Sequence, residues 1–230
     1  MRVLGLVPAR GGSQRVRRKN MARLGGRTLV RRALETALAS DAFATVALSS
    51  EDAEILDEAR DMGDVVSLRR PDELATDTAL TYDVVKHALE ELEAAMGERY
   101  EGVAVVQCTS PFTAPDDLRG AVEMLERTGA PSVVSVVEVA PSVHPLKLKR
   151  MEGERLVPFL EDDRMRPSHE LPKLFARNGS IYVSRRDVID GGALVSDDVL
   201  GYRMPEERSH DIDTPGDLEF AEFLLTRGGG

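Results

Sequence analysis

Near the amino terminus stands Val3-Leu4-Gly5-Leu6-Val7-Pro8-Ala9-Arg10-Gly11-Gly12, an apolar run that leads directly into paired glycines. A short, continuous apolar run bounded by turn residues is typical of a buried strand. The two glycines allow a tight turn whose backbone N–H groups can face an anion. Because ligands of open α/β sheets bind outside the carboxyl ends of the strands, this loop is predicted to lie at a binding site.

Strand and helix patterns alternate along the chain beyond this loop. Apolar runs predict strands over 3–7, 44–49, 64–67, 103–107, 132–139, 180–184 and 199–204. Helical spacing of apolar residues predicts helices over 28–40, 52–62, 81–95, 115–127 and 214–226. This alternation predicts an α/β fold, with a mostly parallel sheet flanked by helices on both faces.

The pattern changes between residues 140 and 176. This segment holds five prolines, several charges and no long apolar period. Short strands and loops are therefore expected there, rather than another unit of the sheet. We predict one domain over residues 1–230, from which residues 140–176 project as a small segment.

The composition excludes several classes of protein. The chain has 230 residues, a net charge of −10 and 42% hydrophobic residues, which is enough for a core and does not indicate the basic face of a nucleic-acid binder. Cys108 is the one cysteine, so no intrachain disulfide can form, as is typical of a reducing compartment. No apolar run approaches the length of a membrane span, and residues 3–7 are too few for a signal peptide. We expect a cytoplasmic protein that binds neither nucleic acid nor membrane.

Five cations follow the first predicted strand within ten residues: Arg10, Arg15, Arg17, Arg18 and Lys19. A basic, glycine-containing loop at a strand end favours a phosphate-rich ligand such as a triphosphate. The loop matches neither the P-loop pattern nor the dinucleotide-binding pattern, which disfavours kinases and dehydrogenases. The alternative is a solvent-exposed basic loop, and the concentration of five cations in an acidic protein disfavours it.

A second candidate site is Asp211-Ile212-Asp213, directly before the last predicted helix. In an extended segment, alternate side chains share one side, so both carboxylates can face one Mg²⁺ ion. The alternative is that Asp213 or Thr214 caps the helix while Asp211 is simply exposed. For this motif taken alone, the capping interpretation is favoured.

A third candidate site is Gln107-Cys108-Thr109-Ser110-Pro111-Phe112, which follows the most hydrophobic predicted strand. Its polar groups stand at a strand's carboxyl end, where a ligand can meet them, although a proline-terminated turn explains the same residues. No histidine lies near Cys108 in the sequence, which disfavours a nucleophilic thiol. The four histidines show no metal-ligand spacing.

Taken together, these motifs resemble those of the acylneuraminate cytidylyltransferases, the CMP-sialic acid synthetases. The matching blocks occur in the family's order and span nearly the whole chain, at residues 8–20, 70–81, 107–112, 178–183 and 211–222. The resemblance weakens between residues 140 and 176. Five ordered blocks are far more specific than any one of them alone.

This resemblance implies a Rossmann-like nucleotidyltransferase fold and a homodimer formed through the projecting segment. It implies transfer of CMP from CTP to the anomeric hydroxyl of a sialic-acid-like, nine-carbon acidic sugar, with Mg²⁺ as the cofactor. Two alternatives remain open: a nucleotidyltransferase for a different sugar acid or nucleotide, and a non-catalytic nucleotide-binding relative. The block at residues 178–182 points away from pseudaminic acid synthetases.

The resemblance also implies roles for individual residues. The nucleotide contacts are Ala9, Arg10, Gly11, Gly12, Ser13, Lys19, Asn20, Arg70 and Thr81. The sugar-acid contacts are Gln107, Lys147, Arg164 and Arg166. The catalytic residues are Arg10, Lys19, Asp211 and Asp213, of which the two aspartates are the Mg²⁺ ligands. The chain departs from the family's usual pattern in the first loop, where Gln14 replaces a lysine and Arg17 a proline. Residues 166–172 also lack the usual Arg-Gln pair.

Overall fold

A seven-stranded sheet forms the centre of the protein, in a computed structural model that describes residues 1–12, 16–160 and 167–228. The strands are β1 (Val3–Pro8), β2 (Arg23–Leu24), β3 (Arg27–Thr28), β4 (Thr45–Ser50), β5 (Val65–Arg69), β6 (Gly102–Val106), β7 (Ser132–Glu138), β8 (Lys149–Glu152), β9 (Arg155–Pro158), β10 (Phe175–Arg185) and β11 (Val199–Arg203). The α-helices are α1 (Leu29–Ala39), α2 (Ala53–Asp57), α3 (Thr81–Met96), α4 (Pro115–Thr128), α5 (Arg186–Asp190) and α6 (Pro215–Gly228).

The strand order of the large sheet is β11-β7-β10-β6-β1-β4-β5. Strand β1 pairs in parallel with β4 and β6, β4 pairs in parallel with β5, and β7 pairs in parallel with β11. Strand β10 runs antiparallel to both of its neighbours, β6 and β7. The predicted mostly parallel α/β sheet is confirmed, and β1, β4, β5 and β6 end at the same edge.

Side chains of β1 alternate between two hydrophobic clusters, one on each face of the sheet. Val3 and Val7 pack in a cluster with α1, α2, α4 and α6, while Leu4 and Leu6 pack in a cluster with α3 and α5. This alternation follows from the two-residue period of a strand that is buried on both faces. Gly5 is required for packing, because a Cβ at this position would overlap the ring of Phe43.

The helices begin and end where local chemistry dictates. Thr28 caps α1, since its Oγ1 accepts the backbone N–H of Arg31 at 3.1 Å. Helix α4 has a proline in its first turn and ends at Gly129, whose φ of 70° suits glycine in the left-handed conformation. Helix α3 buries the apolar residues that recur at helical spacing along one side, namely Val84, Val85, Ala88, Leu89 and Leu92.

Two predicted elements differ in length from those observed. The helix predicted over 52–62 is only Ala53–Asp57, because residues 58–62 continue as turns with hydrogen bonds to the third preceding residue. The strand predicted over 180–184 extends over Phe175–Arg185, with a register shift between Arg177 and Tyr182. Gly179, with φ of 77°, lies in this irregularity, which made the segment resemble a turn in sequence.

Strands β8 and β9 form a separate hairpin within the segment 140–176. Several large apolar side chains there are exposed: Val143, Leu148, Met151, Leu156, Phe159 and Leu160. Within the described residues, no helix combines the length and the apolar character that crossing a membrane demands.

Candidate active site

A cavity of about 330 Å³ opens at the edge of the sheet where β1, β4, β5 and β6 end. Its walls come from the end of β1, from the loops after β1, β5 and β6, and from the start of α3. The lining residues are Pro8, Arg10, Lys19, Asn20, Arg70, Leu74, Thr76, Asp77, Ala79, Thr81, Val84, Gln107 and Thr109. This is the position at which open α/β sheets bind their ligands.

Two of the predicted phosphate-binding cations, Arg10 and Lys19, line this cavity, and each is paired with a carboxylate. Nη1 of Arg10 lies 2.6 Å from Oδ1 of Asp77, and Nζ of Lys19 lies 3.0 Å from Oδ1 of Asp213. Both aspartates are about half exposed. Since exposed ion pairs contribute little free energy, an incoming phosphate can replace these carboxylates at low cost.

The other cations of the first loop have different surroundings. Arg18 donates to Asp52 at 3.0 Å and to Glu54 at 2.6 Å, so its charge is paired with two carboxylates at the start of α2. Arg17 is exposed, and Arg15 lies outside the described residues. Two cations of the loop, Arg10 and Lys19, therefore face the cavity, whereas Arg18 faces carboxylates at the start of α2.

Gly11 and Arg70 meet at one carboxylate, that of Glu51. The backbone N–H of Gly11 donates to Oε1 of Glu51 at 2.7 Å, and Nη2 of Arg70 donates to Oε2 at 3.0 Å. Arg70 is only 4% exposed, and burial lowers its pKa while the charge of Glu51 opposes that change. The Nε of Arg70 is buried and has no partner among the residues that the structure describes.

The remaining predicted nucleotide contacts surround this loop. Asn20 is buried, lines the cavity and donates from Nδ2 to the carbonyl oxygen of Arg10 at 3.0 Å. Ala9 is buried and continues the pairing of β1 by donating its N–H to Ser49. Thr81 lines the cavity as the first residue of α3, and Gly12 is exposed. Ser13 and Gln14 lie outside the described residues.

Gln107 and Thr109 bring the third sequence block to the same cavity. The carbonyl oxygen of Thr109 accepts the N–H of Ile212 at 2.8 Å, which holds the segment with the two aspartates against this wall. Cys108 points into the core, and burial raises the pKa of its thiol to about 12. A thiol with this pKa is protonated at neutral pH, so it is not an activated nucleophile.

Asp211 and Asp213 flank Ile212, which is buried in the core. Oδ1 of Asp211 is buried and has no hydrogen-bond partner within the described part of the chain. Asp213 holds Lys19, as described above. A buried carboxylate oxygen without a donor beside a second carboxylate fits a divalent cation, which takes two such oxygens plus phosphate oxygens. Thr214 caps the helix, as the alternative interpretation had it, since its Oγ1 accepts the N–H of Asp217 at 3.3 Å and Asp217 accepts the N–H groups of Asp213 and Thr214 in return. Asp211, however, is not simply exposed, because its Oδ1 is buried.

Three predicted sugar-acid contacts are not among the described lining residues of the cavity. Lys147 is exposed and donates from Nζ to Oγ of Ser168 at 3.1 Å. Arg164 and Arg166 lie outside the described residues. The structure therefore brings Gln107 alone, of the four predicted contacts, to the nucleotide-sized cavity that it describes.

Sequence reasoning missed Glu51 and Asp77, the two carboxylates that hold Arg70 and Arg10. Asp77 lies in the block 70–81 that was singled out as a whole, but no pattern distinguished it there. Glu51 follows β4 directly, and its place at the carboxyl end of a strand was the available signal.

Three comparisons with known proteins bear on this site. A family model described as "Cytidylyltransferase" matches residues 4–152. The chain is 32% identical to a CMP-N,N'-diacetyllegionaminic acid synthase from Legionella pneumophila, with 98% of this chain and 97% of that protein covered. It is 30% identical to a pseudaminic acid cytidylyltransferase from Campylobacter jejuni, with 97% and 96% covered.

A solved structure shares the fold. It is a CMP:2-keto-3-deoxy-manno-octonic acid synthetase in complex with CTP, with a TM-score of 0.75 and 16% identity. The alignment covers 99% of this chain and 100% of that structure. At this level of identity the likeness establishes the architecture alone.

Proposed function

The chain belongs to the cytidylyltransferase family, and on this premise we propose that it transfers CMP from CTP to the anomeric hydroxyl of a sialic-acid-like nonulosonic acid. The observation that carries the proposal is the convergence of distant residues on one cavity. Lys19, from the first loop, contacts Asp213, 194 positions later in the chain. Cations for a triphosphate thus line one cavity with Gln107, and Lys19 connects that cavity to Asp213, one of the two proposed metal ligands.

The reaction joins the anomeric oxygen to the α-phosphorus of CTP while the bond to pyrophosphate breaks, and the hydroxyl proton is released to solvent. Such transfers depend mostly on positioning and on neutralising charge. We assign Arg10 and Lys19 to the phosphate oxygens, whose negative charge grows on the leaving pyrophosphate. Arg70, whose buried Nε has no partner among the residues that the structure describes, supplies a further donor at the cavity wall.

We propose that Asp211 and Asp213 hold Mg²⁺. A bound Mg²⁺ ion would neutralise phosphate charge and lower the pKa of the attacking hydroxyl. The support is the Oδ1 of Asp211, which is buried without a partner in the described part of the chain, and the half-exposed position of Asp213. When CTP binds, Lys19 exchanges the carboxylate of Asp213 for a phosphate oxygen. This exchange is possible because both groups are anions and Lys19 lines the cavity.

The identity of the acceptor sugar is a finer proposal. The family resemblance favours an N-acylneuraminate acceptor, while the relatives named above act on legionaminic and pseudaminic acids. We propose N-acetylneuraminic acid as the first acceptor to test and legionaminic acid as the second. One or two buried polar contacts decide such a choice, because an unpaired polar group is costly.

We propose that two copies assemble through the β8–β9 hairpin and act in the cytoplasm. Exposed apolar side chains support contact with a second copy, including Leu156 in β9 and Phe159 directly after it. The single buried cysteine suits a reducing compartment. Sedimentation analysis of the protein and of Leu156→Asp tests the assembly: we expect a dimer for the protein and a monomer for the variant. A monomeric wild-type protein would refute this part of the proposal.

The experiment that tests the proposed function measures pyrophosphate release with Mg²⁺. CTP, UTP, ATP and GTP are each combined with N-acetylneuraminic, legionaminic, pseudaminic and 3-deoxy-octulosonic acids. We expect pyrophosphate release with CTP and one nonulosonic acid. The rate with CTP should exceed that with UTP by a factor on the order of a hundred or more, as expected when the base is recognised through hydrogen bonds. CTP binding without release across the panel would indicate a non-catalytic relative instead.

The double variant Asp211→Asn with Asp213→Asn tests the carboxylates. We expect loss of turnover by a factor on the order of a thousand, because both proposed metal ligands lose their charge. The matched control is Asp116→Asn, an exposed aspartate in the first turn of α4. Unchanged turnover of the double variant would contradict the proposed role of this pair.

A further inference from the structure

The carboxylate of Glu51 joins the first loop, at Gly11, to Arg70 in the cavity wall, two positions that are far apart in sequence. One oxygen accepts the N–H of Gly11 at 2.7 Å, and the other accepts Nη2 of Arg70 at 3.0 Å. Glu51 is 16% exposed and Arg70 only 4% exposed. Through these contacts Glu51 determines both the orientation of the Gly11 peptide and the position of the Arg70 guanidinium.

Burial distinguishes Glu51 from the other carboxylates that hold cavity cations. Asp77 and Asp213 are about half exposed, so a phosphate can take their place on Arg10 and Lys19. Displacing Glu51 would instead leave a buried carboxylate without its counter-ion, which is costly. Glu51 is therefore expected to keep its contacts when a nucleotide binds.

The neighbouring Asp52 supports the same loop from a second side. Its Oδ1 caps α2 by accepting the N–H of Glu54 at 2.8 Å, and its Oδ2 accepts from Arg18 at 3.0 Å. A Cβ on Gly11 would lie 2.5 Å from that Oδ2. The loop thus packs directly against an acidic corner, formed by Glu51 and Asp52, that follows β4.

We propose that Glu51 is a positioning residue for nucleotide binding, acting through Gly11 and Arg70. It holds the first loop and the buried guanidinium in the arrangement that receives the nucleotide, and does not bind the nucleotide itself. This inference rests on the proposed function for the identity of the ligand, CTP. Because the Gly11 N–H donates to Glu51, the nucleotide phosphates accept hydrogen bonds from other donors.

The substitution Glu51→Gln tests this role with an isosteric side chain. A glutamine has one oxygen, which accepts, and one NH₂ group, which donates. Whichever way the amide is oriented, its NH₂ group therefore faces one of the two donors, Gly11 or Arg70. We expect the Kd for CTP, measured by calorimetry with Mg²⁺ and no sugar acid, to rise about tenfold. The KM for CTP rises with it, while the KM for the sugar acid stays within about twofold.

Glu93→Gln is the control variant. Glu93 also accepts one backbone N–H, that of Tyr100 at 2.8 Å, and also pairs with a largely buried arginine, Arg186, but both donors reach the same oxygen, Oε1. It is 19% exposed and lies away from the cavity lining. A glutamine oxygen can keep both contacts, so we expect this variant to lose less thermal stability than Glu51→Gln and to bind CTP as the wild type does.

Glu51→Asp is the second variant, in case the glutamine variant is unfolded. It keeps the charge that balances Arg70 but is one methylene shorter, so we expect about a threefold rise in the Kd for CTP. Tighter CTP binding by either folded variant would overturn the proposal, because Glu51 would then be a competing anion. Unchanged binding would overturn it as well. A wild-type protein that does not bind CTP would refute the proposed function and this role together.

Discussion

The carboxylate of Asp117 anchors the segment that leads to the two candidate metal ligands, and its replacement by asparagine is expected to destabilise the protein. Asp117 is 1% exposed, and it accepts three hydrogen bonds. Two come from Nε and Nη2 of Arg208, both at 2.8 Å, and the third comes from the N–H of Ala114 at 2.9 Å. Arg208 lies three residues before Asp211.

The magnitude follows from what an asparagine can replace. Its carboxamide oxygen can accept two of the three donors, so one charge-assisted hydrogen bond is lost, worth about 1.5–3 kcal/mol. Arg208 is 41% exposed and can turn part of its guanidinium to water, which limits the loss. We expect Asp117→Asn to lower the free energy of unfolding by about 2 kcal/mol, and Tm by about 4–8 °C for a chain of this length.

Thermal and urea unfolding followed by circular dichroism measures this change. The control is Asp116→Asn, whose side chain is 84% exposed and pairs only on the surface with Arg119. We expect that control to change stability by about 0.5 kcal/mol or less. The variant Arg208→Gln and the double variant complete a cycle, in which the two losses should be strongly non-additive. Equal effects of the two aspartate variants, or additive losses in the cycle, would refute this reasoning.

Three further predictions concern packing, pH and reactivity. Gly5→Ala should lower the free energy of unfolding by about 1–3 kcal/mol in urea titrations, because the added methyl overlaps an aromatic ring. Backbone hydrogen bonds from Asp213 and Thr214 lower the pKa of Asp217. The stabilisation from its carboxylate is therefore fully present above pH about 4, and the stability difference between wild type and Asp217→Asn should stay constant from pH 7 to about 4 and shrink as pH falls further. Burial raises the pKa of Cys108 to about 12, so iodoacetamide should label it at pH 8 only after unfolding.

The first two of these predictions have a control, and the third has a result that would contradict it. Gly63→Ala adds a methyl group where no atom lies within 4 Å, and it should leave stability unchanged. For Asp217, the stability difference is measured at fixed pH with increasing salt. Salt screens long-range charge interactions but leaves the effect of hydrogen bonds to the carboxylate largely unchanged. Rapid labelling of Cys108 in the folded protein would contradict its burial in the core.

The fold could be predicted largely from the chain, because its signals are local. Alternating apolar runs and helical periods placed β1, β4, β6 and α3 within a few residues of their observed bounds. Predictions failed where local patterns compete. Residues 58–62 carry a helical pattern but fold as turns, and residues 178–180 resemble a turn but lie within a long irregular strand.

The candidate site was predicted only in part, for a different reason. Arg10 and Lys19 were identifiable because five cations beside two glycines form a local pattern. Arg18 belongs to the same pattern, yet it turns to Asp52 and Glu54, a distinction that no local signal contains.

The sequence by itself thus determined the strand–helix alternation, the phosphate-type loop and the presence of two aspartates before the last helix. The tertiary structure alone decided that Asp213 meets Lys19 and that Glu51 joins Gly11 to Arg70. The period of the apolar residues indicates which side of a helix or strand is buried, and it can be recognised from neighbouring residues alone. The pairing of charges depends on which strand ends the sheet topology brings together, and that is fixed by packing across the whole chain.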